Sequence, residues 1–406
     1  MKRSLSLWLV TLPLTLAWLM CNNPPASPPP LTSPSSIPAT QLPPQENWFR
    51  TFGGRLSDQA WTVAGDDEAL YFATFQQEPG ELFTDLVIYR LDHTGEVVWE
   101  IRWGGPFQEK AFILVAQEGV VYLAGTQYLS AALEDADALV LALDAQDGHE
   151  LWSHVSGGEG YEEVDGLVIA DGDLYITGWT DQGETGMDLL LQRMDAATGT
   201  VVWTRTWGLA RYDHQDGQIF LDDKYLYLSG LVNGENFFTG GDALVARFDR
   251  ATGEFVSSQT WGGALFDDGL GLTGAGDSLY VTGLTLSRGN GGQIFLLKYD
   301  HHLNLLWEQI WGGPKGESAR TVLLAPDGNV LVIGHTFGEG AGGKDIVILE
   351  YSPEGELLST QFWGGAGDDD AHGAALVGEW LYIAGQTTSY GAGGSDALLV
   401  RLPWPE

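Results

Sequence analysis

Apolar and polar residues alternate along most of this chain in short runs typical of β-strands, and the same order of runs returns every fifty-odd residues. In the first unit we predict strands at Trp61–Ala64, Leu70–Phe75, Asp85–Leu91 and Val97–Trp103, because each run is rich in Val, Ile, Leu, Tyr and Trp and is bounded by Gly, Asp or Asn. No segment shows a helical period over a useful length. The pattern predicts an all-β chain built from four-stranded units.

A Trp-Gly-Gly motif at the end of the fourth strand sets the period of the repeat. Its aromatic position recurs seven times, with one non-aromatic copy, at Phe52, Trp103, Ser156, Trp207, Trp261, Trp311 and Trp363. A second Trp position lies four residues earlier in five units, so both positions project from one face of a strand. Four antiparallel strands in about 50 residues is the size of a propeller blade. We therefore predict a seven-bladed β-propeller of four-stranded antiparallel blades.

The two ends of the repeat region indicate how the ring closes. The region begins with a lone fourth-strand segment, Trp48 to Gly53, and ends with only three strands, Ala371 to Leu402. We predict that the N-terminal strand completes the C-terminal blade, because this pairing removes an open sheet edge.

The first 46 residues have the composition of an export signal and a tether. Residues 1–21 combine a basic start, an apolar run and the chain's single cysteine, Cys21, which predicts a signal peptide. The lone cysteine followed by two Asn residues resembles the acceptor site of bacterial lipoproteins, which implies lipidation of Cys21 and attachment outside the cytoplasm. Met20 departs from the small residue usual before that cysteine, so ordinary secretion and an uncleaved anchor stay open. The Pro- and Ser-rich residues 22–46 predict a disordered tether, and residues 47–406 the propeller.

The charge balance narrows the class of partner. The chain has 19 basic and 55 acidic residues, for a net charge of −36. Nucleic acid is excluded as a partner because no basic stripe is present to neutralise phosphates. We expect a monomer that meets a membrane only through its N-terminal lipid.

The repeat also resembles known families. Trp261-Gly-Gly with Asp267, followed by the second-strand run from Leu279 to Gly283, is similar to the bacterial SBBP β-propeller repeat across residues 48–404. The turn from Asp195 to Trp203 more weakly resembles quinoprotein-type propellers, which include enzymes and outer-membrane assembly lipoproteins. These resemblances imply an exported propeller, and no cofactor constellation accompanies them in the sequence.

One position of the repeat is acidic in all seven units, six residues after the aromatic. Its members are Asp58, Glu109, Glu162, Asp213, Asp267, Glu317 and Asp369. We expect each carboxylate to accept backbone N–H groups in its loop. The alternative is a weak cation rim that holds Ca²⁺ through hard oxygen ligands.

Large aromatic residues in the loops between second and third strands, and between blades, form the candidate ligand site. They are Tyr128, Trp179, Tyr212, Phe237 and Phe238. Aromatic side chains on exposed loops indicate a contact surface for a protein, peptide or glycan, and the alternative is that they fold back onto their own blades.

Three functions remain open on the sequence alone. The first is an exported binding or scaffold module for an envelope protein or glycan. The second is an extracellular polysaccharide hydrolase or lyase that uses acidic residues at the channel mouth, although no nucleophile elbow, phosphate loop or catalytic cysteine is present. The third is an envelope-assembly lipoprotein. We favour a non-enzymatic binding module.

Overall fold

The computed structural model describes residues 47–404 except for a set of loop positions. These are residues 78–79, 81, 134, 159, 182–185, 209–212, 214–217 and 233–239. The predicted signal peptide, Cys21 and the predicted tether lie outside the described residues. The described part of the chain holds no helix with the length and apolarity needed to cross a bilayer.

Twenty-eight strands build seven sheets. The first strand is β1 (Trp48–Phe52). Blade 1 comprises β2 (Gln59–Gly65), β3 (Leu70–Gln76), β4 (Asp85–Leu91) and β5 (Val97–Trp103). Blade 2 comprises β6 (Glu109–Gln117), β7 (Val120–Tyr128), β8 (Ala136–Asp144) and β9 (Glu150–Ser156). Blade 3 comprises β10 (Glu162–Ala170), β11 (Asp173–Asp181), β12 (Met187–Asp195) and β13 (Val201–Trp207). Blade 4 comprises β14 (Ile219–Leu221), β15 (Tyr225–Val232), β16 (Asp242–Asp249) and β17 (Phe255–Trp261).

The remaining strands continue the same order. Blade 5 comprises β18 (Asp267–Ala275), β19 (Ser278–Thr285), β20 (Gln293–Asp300) and β21 (Leu305–Trp311). Blade 6 comprises β22 (Glu317–Leu324), β23 (Val330–Thr336), β24 (Asp345–Tyr351) and β25 (Leu357–Trp363). Blade 7 comprises β26 (Asp369–Val377), β27 (Trp380–Thr387) and β28 (Asp396–Pro403), with β1 as its fourth strand.

Each sheet has four antiparallel strands, so the predicted seven-bladed β-propeller is confirmed. The predicted closure is also confirmed, because β1 pairs antiparallel with β28 from Trp48 opposite Arg401 to Phe52 opposite Ala397. The N-terminal strand thereby joins the outer edge of the C-terminal blade.

The core lies between blades. Seven clusters of buried apolar side chains occur in the described residues, and each cluster combines side chains of two neighbouring blades. In the cluster between blades 1 and 2, for example, Phe75 and Leu86 share a cluster with Leu123 and Leu139. Every blade therefore buries one face against the preceding blade and one against the next, as repeat architectures require.

The recurrent Trp in the outer strand clamps the next blade. Trp152 of β9 donates its indole N–H to the carbonyl of Ala196 in blade 3, at 3.1 Å. The same ring packs on Gly199, which has a positive φ of 68° and whose added Cβ would lie 2.6 Å from the ring. Asp195 accepts the backbone N–H of Thr198 in that turn. The Trp position and the Asp-to-Gly turn of adjacent units thus form one structural contact, repeated in the five units that have the Trp.

A β-bulge recurs at one position of the inner strands. In six of the seven, one residue is skipped in the pairing with the second strand of the same blade. The skipped residues are Trp61, Phe112, Asp165, Leu270, Arg320 and His372. The described part of β14 begins beyond the equivalent position. A bulge turns its residue away from the ladder, and bulges often aim a side chain into a site.

The central channel and its mouth as the candidate functional site

All six bulge residues line one cavity of about 590 Å³ in the central channel. The remaining lining residues are Thr62, Val63, Lys110, Ile113, Glu163, Gln218, Thr321, Gly373 and Ala374. The bulge position lies three residues after the shared acid, yet it holds a different side chain in each of the six blades. Packing and turns dictate the constant positions of the repeat, whereas this variable position faces the cavity and is a candidate for ligand recognition.

Trp61 is the centre of an aromatic and cationic wall. The His372 ring lies 4.5 Å from the Trp61 ring at an interplanar angle of 32°, and Phe112 meets it edge-on at 5.2 Å. The Arg320 guanidinium lies 5.1 Å from the Trp61 ring centroid, within cation–π distance. His372 is held in turn by its Nδ1, which donates to the Ala60 carbonyl at 2.9 Å. Four blades thus contribute to one rigid wall.

A second set of polar contacts joins blades 2 and 3 beside the cavity. The Lys110 ammonium lies 3.4 Å from the Tyr128 hydroxyl, which is 2.7 Å from the hydroxyl of Tyr161. The Tyr161 hydroxyl donates to Glu163 at 2.8 Å. Burial raises the pKa of Tyr161 far above its usual range, and the Glu163 carboxylate and Tyr128 reinforce that effect. Tyr161 therefore stays neutral and keeps donating to Glu163.

Two of the five predicted ligand-binding aromatics belong to this contact set. Trp179 is 7% exposed and stacks on Tyr161 with centroids 4.7 Å apart and planes at 9°. Tyr128 is 6% exposed. Both rings therefore pack on Tyr161, in the connection between blades 2 and 3, and neither presents an open face. Tyr212, Phe237 and Phe238 lie outside the described residues, so a ligand role for this set stays a prediction.

The seven shared acids lie beneath the loops and not on an exposed rim. All are at most 8% exposed. Asp267 shows the usual arrangement, since it accepts the N–H of Gly263 at 2.8 Å, the Ser287 hydroxyl at 2.6 Å and the hydroxyl of Thr285. In blade 7, Asp369 accepts the equivalent three donors. The carboxylate thus fixes the Trp-Gly-Gly turn, and Ca²⁺ binding by these acids stays a prediction.

A second acid faces the shared acid in several blades. In blade 1, Asp85 and Glu109 both approach Gly104, where an added Cβ would lie 2.7 Å from Glu109 Oε2 and 3.0 Å from Asp85 Oδ1. Glu109 Oε1 accepts the N–H of Gly105 at 2.9 Å, but the buried Oε2 has no hydrogen-bond partner. Burial raises the pKa of Glu109 to about 7, and the nearby charge of Asp85 adds to the effect.

This raised pKa does not make Glu109 a general acid for a bound substrate. The residue is 0% exposed, so no polysaccharide reaches its carboxyl group while the inter-blade turn is in place. Asp137 and Glu162 in the next blade repeat the pairing, and burial raises the pKa of both. The paired acids act on the stability of the blade junctions.

A charged cluster joins blades 6 and 7 directly behind His372. Asp370 is 7% exposed and lies 2.6 Å from the Lys344 ammonium, 2.7 Å from His335 Nδ1 and 3.6 Å from His372 Nε2. Burial alone would raise the pKa of Asp370, but His335 and His372 outweigh burial and hold it well below its usual range. A buried carboxylate among three cationic or ionisable groups anchors the ring that packs on Trp61.

The loops around the channel mouth expose large apolar side chains that the sequence analysis missed. We call this surface the mouth face; it consists of the loops between second and third strands and between blades. The exposed residues are Leu82, Leu129, Leu133, Leu265, Phe337 and Tyr390. Leu82 is 84% exposed. Four of the six are leucines, so aromatic residues in the loops did not indicate the full extent of this surface.

The channel residues were also missed, although a signal was present. The shared acid fixes the register of each inner strand. Because side chains alternate between the two faces of a strand, the residues one and three positions after the acid lie on the channel side. The constant residues of the repeat do not reveal the positions at which the units differ. Searching for the variable position next to a constant one would have identified Trp61, Arg320 and His372.

Comparisons with known proteins support the same fold. The family model of the outer membrane protein assembly factor BamB matches residues 48–190 and 187–358. A comparison with curated protein sequences gives no match. Among solved structures, the WD40 propeller domain of Doa1 is 12% identical, with 89% of this chain and 98% of that chain covered and a TM-score of 0.54.

Two further solved structures cover most of the chain. The WD40 domain of Neurospora crassa Pan2 is 12% identical, with 88% and 96% coverage and a TM-score of 0.53. A quinohemoprotein alcohol dehydrogenase from Comamonas testosteroni is 12% identical, with 85% and 67% coverage and a TM-score of 0.49. At 12% identity, the likeness to the two WD40 domains shows the fold alone. The predicted membership in the SBBP repeat family stays a prediction. The family model covers well over half of the sequence, and the chain therefore belongs to the family of the outer membrane protein assembly factor BamB.

Proposed function

We propose that this protein is an exported, lipid-anchored binding module that docks an envelope protein on its mouth face during envelope assembly. Two observations support the proposal: membership in a family named for outer-membrane protein assembly, and a sequence that begins with the features of a lipoprotein export signal. The observation that carries it is the set of exposed apolar side chains on the mouth face.

The mouth face suits a protein partner better than a small substrate. Leu82, Leu265 and Phe337 are 84%, 55% and 43% exposed, and they project from loops of three different blades. A partner that covers this exposed apolar surface stabilises the complex by about 25 cal/mol for each Å² buried.

The charge of the chain indicates the kind of partner. A net charge of −36 favours a protein whose contact segment is apolar with a basic rim, because opposite potentials accelerate encounter and like potentials exclude wrong partners. Anionic lipid head groups and acidic polysaccharides are disfavoured for the same reason.

The test compares two sets of apolar-to-serine changes. The triple variant Leu82→Ser, Leu129→Ser and Phe337→Ser alters the mouth face. The control variant Val98→Ser, Val202→Ser and Leu306→Ser removes exposed apolar residues from the start of the outer strands, on the opposite face. We expect the first set to reduce crosslinking to envelope proteins in cells at least tenfold with an unchanged melting temperature.

The matched set should crosslink like the parent. Equal loss in both sets, or parental crosslinking by the mouth-face variant, would contradict docking at the mouth face.

A further inference from the structure

We propose that the channel cavity binds one small organic carboxylate, with the anion at Arg320 and Lys110 and the body of the molecule against the aromatic wall. The proposal concerns the interior of the channel and does not depend on docking at the mouth face. It rests on the charge, the shape and the bulge geometry of the described cavity residues.

Arg320 and Lys110 bring a guanidinium and an ammonium group to the lining of the cavity. Acidic residues outnumber basic ones by 55 to 19, yet neither cation forms a salt bridge within the part of the chain that the structure describes. Lys110 contacts the Tyr128 hydroxyl and ring, and Arg320 contacts the Trp61 ring. Other arginines do find carboxylates, as Arg193 does with Asp173 and Arg250 with Asp171. Two cations that line a cavity and have no salt-bridge partner among the described residues are complementary to an incoming anion.

The geometry of Arg320 favours a carboxylate among anions. Its guanidinium is fixed beside the Trp61 ring, and no described residue accepts a hydrogen bond from it. A planar guanidinium with free N–H groups matches a planar carboxylate in a bidentate pair. The Lys110 ammonium adds a second point of charge from another wall of the same cavity.

The apolar part of the wall specifies the body of the ligand. Phe112, Leu270 and Ile113 line the cavity beside Trp61. A cavity of about 590 Å³ falls within the range of roughly 300–1,000 Å³ that small-molecule sites occupy. An aromatic or branched apolar group attached to the carboxylate would bury its surface against these side chains.

Blade 3 limits the charge that the cavity accepts. Glu163 and Asp165 line the same cavity and carry acidic side chains. These side chains offer acceptor oxygens and no donor to a second anionic group on the ligand, so a monocarboxylate should bind better than a dicarboxylate or inorganic phosphate. The site is therefore dipolar, with a cationic wall from blades 2 and 6 and an acidic wall from blade 3.

The β-bulges independently support a ligand site in the cavity. The cavity receives the skipped residue of every inner strand in which that position is described, and these six residues differ from one another. A channel that served only as packing space would need no such differentiation. The repeat holds the geometry constant while the bulge residue varies.

The experiment measures binding to the full-length protein by isothermal titration calorimetry. The probes are 3-phenylpropionate and its uncharged amide, the tripeptide alanyl-alanyl-phenylalanine and its C-terminal amide, and inorganic phosphate. We expect each acid to bind at least tenfold more tightly than its amide and than phosphate. A tighter tripeptide would identify a peptide end as the source of the carboxylate, and a tighter phenylpropionate would identify a free acid.

Variants tie the binding to the two cations. Arg320→Gln and Lys110→Gln should each weaken acid binding at least tenfold and leave amide binding unchanged. Arg288→Gln is the matched control, because Arg288 lies 5.1 Å from the Trp261 ring, the same distance as Arg320 from Trp61, but outside the cavity.

Three results would overturn the proposal. They are equal binding of acid and amide, phosphate binding as tight as that of the acids, and unchanged acid affinity in both cavity variants at parental melting temperature.

Discussion

Replacing Glu109 by Gln should make the propeller more stable at alkaline pH and leave its stability nearly unchanged at acid pH. Glu109 is 0% exposed, and its Oε2 has no hydrogen-bond partner while it faces Asp85 across Gly104. Burial raises the pKa of Glu109 from 4.5 to about 7. In the unfolded chain the carboxyl returns to its ordinary pKa, so the unfolded state ionises first as the pH increases.

The sign of the effect follows from this order. Below about pH 4.5 Glu109 is protonated in both the folded and the unfolded state, so its ionisation does not lower the free energy of unfolding. As the pH rises from 4.5 through 7, the unfolded state gains the free energy of ionisation and the folded state does not, so stability is lost. Each pKa unit is worth about 1.4 kcal/mol, which sets an upper bound of about 3 kcal/mol on the loss above pH 7. Water that enters the blade junction would reduce this value.

The assay is urea unfolding followed by tryptophan fluorescence at pH 4.5, 6, 7 and 8.5. The difference in unfolding free energy between Glu109→Gln and the parent should grow with pH from near zero to about 1–3 kcal/mol. Asp267→Asn is the matched control at the equivalent position, because the Asp267 oxygens accept donors from Gly263, Thr285 and Ser287. We expect that variant to be destabilised by about 1–3 kcal/mol. A pH-independent or negative effect of Glu109→Gln would refute the reasoning.

Three further predictions test other parts of the account. Deletion of residues 47–54 removes β1 from blade 7 and exposes the edge of β28, so the whole domain should lose its cooperative thermal transition by calorimetry; a mutant that melts like the parent would show that the ring does not need this closure. A Cys21→Ser variant should move to the soluble fraction with its circular dichroism spectrum unchanged, whereas continued membrane association would point to an uncleaved anchor. The pKa of Asp370 is held low in the folded state, so its stabilising contribution is complete above about pH 4 and declines by about 1.4 kcal/mol for each pH unit below that. Asp370→Asn should therefore lower the urea midpoint strongly at pH 7 and measurably less at pH 3, and a loss that grows toward acid pH would contradict the ionic role.

The sequence predicted the fold because the repeat shows its packing positions seven times. The Trp-Gly-Gly motif, the shared acid and the Asp-to-Gly turn each have one structural role, which the contacts of Trp152 with Ala196 and of Asp267 with Gly263 illustrate. The lone N-terminal strand also predicted the closure of blade 7. These features depend on the pairing of neighbouring strands and on the spacing of the repeat, and both can be recognised in the sequence.

The candidate site was harder to predict because it depends on which side chains converge from distant units. Arg320 and Trp61 are separated by more than 250 residues in sequence, yet they are in contact in the channel. Trp179 was assigned to a loop, with an exposed contact face and packing onto its own blade both left open, and the structure extends β11 through it to Asp181 and stacks its ring on Tyr161. A loop length read from Gly positions does not reveal where the strand ends or which neighbour covers a ring.

Site-specific photocrosslinking in cells tests the central claim, docking of an envelope protein on the mouth face, most directly. A photoreactive phenylalanine analogue would replace Leu82, Leu265 or Phe337 on that face, and Val98, Val202 or Leu306 on the opposite face. The account predicts one discrete crosslinked envelope protein from the mouth-face positions and none from the others. Crosslinks from the opposite face alone, or no adduct from any mouth-face position, would contradict it.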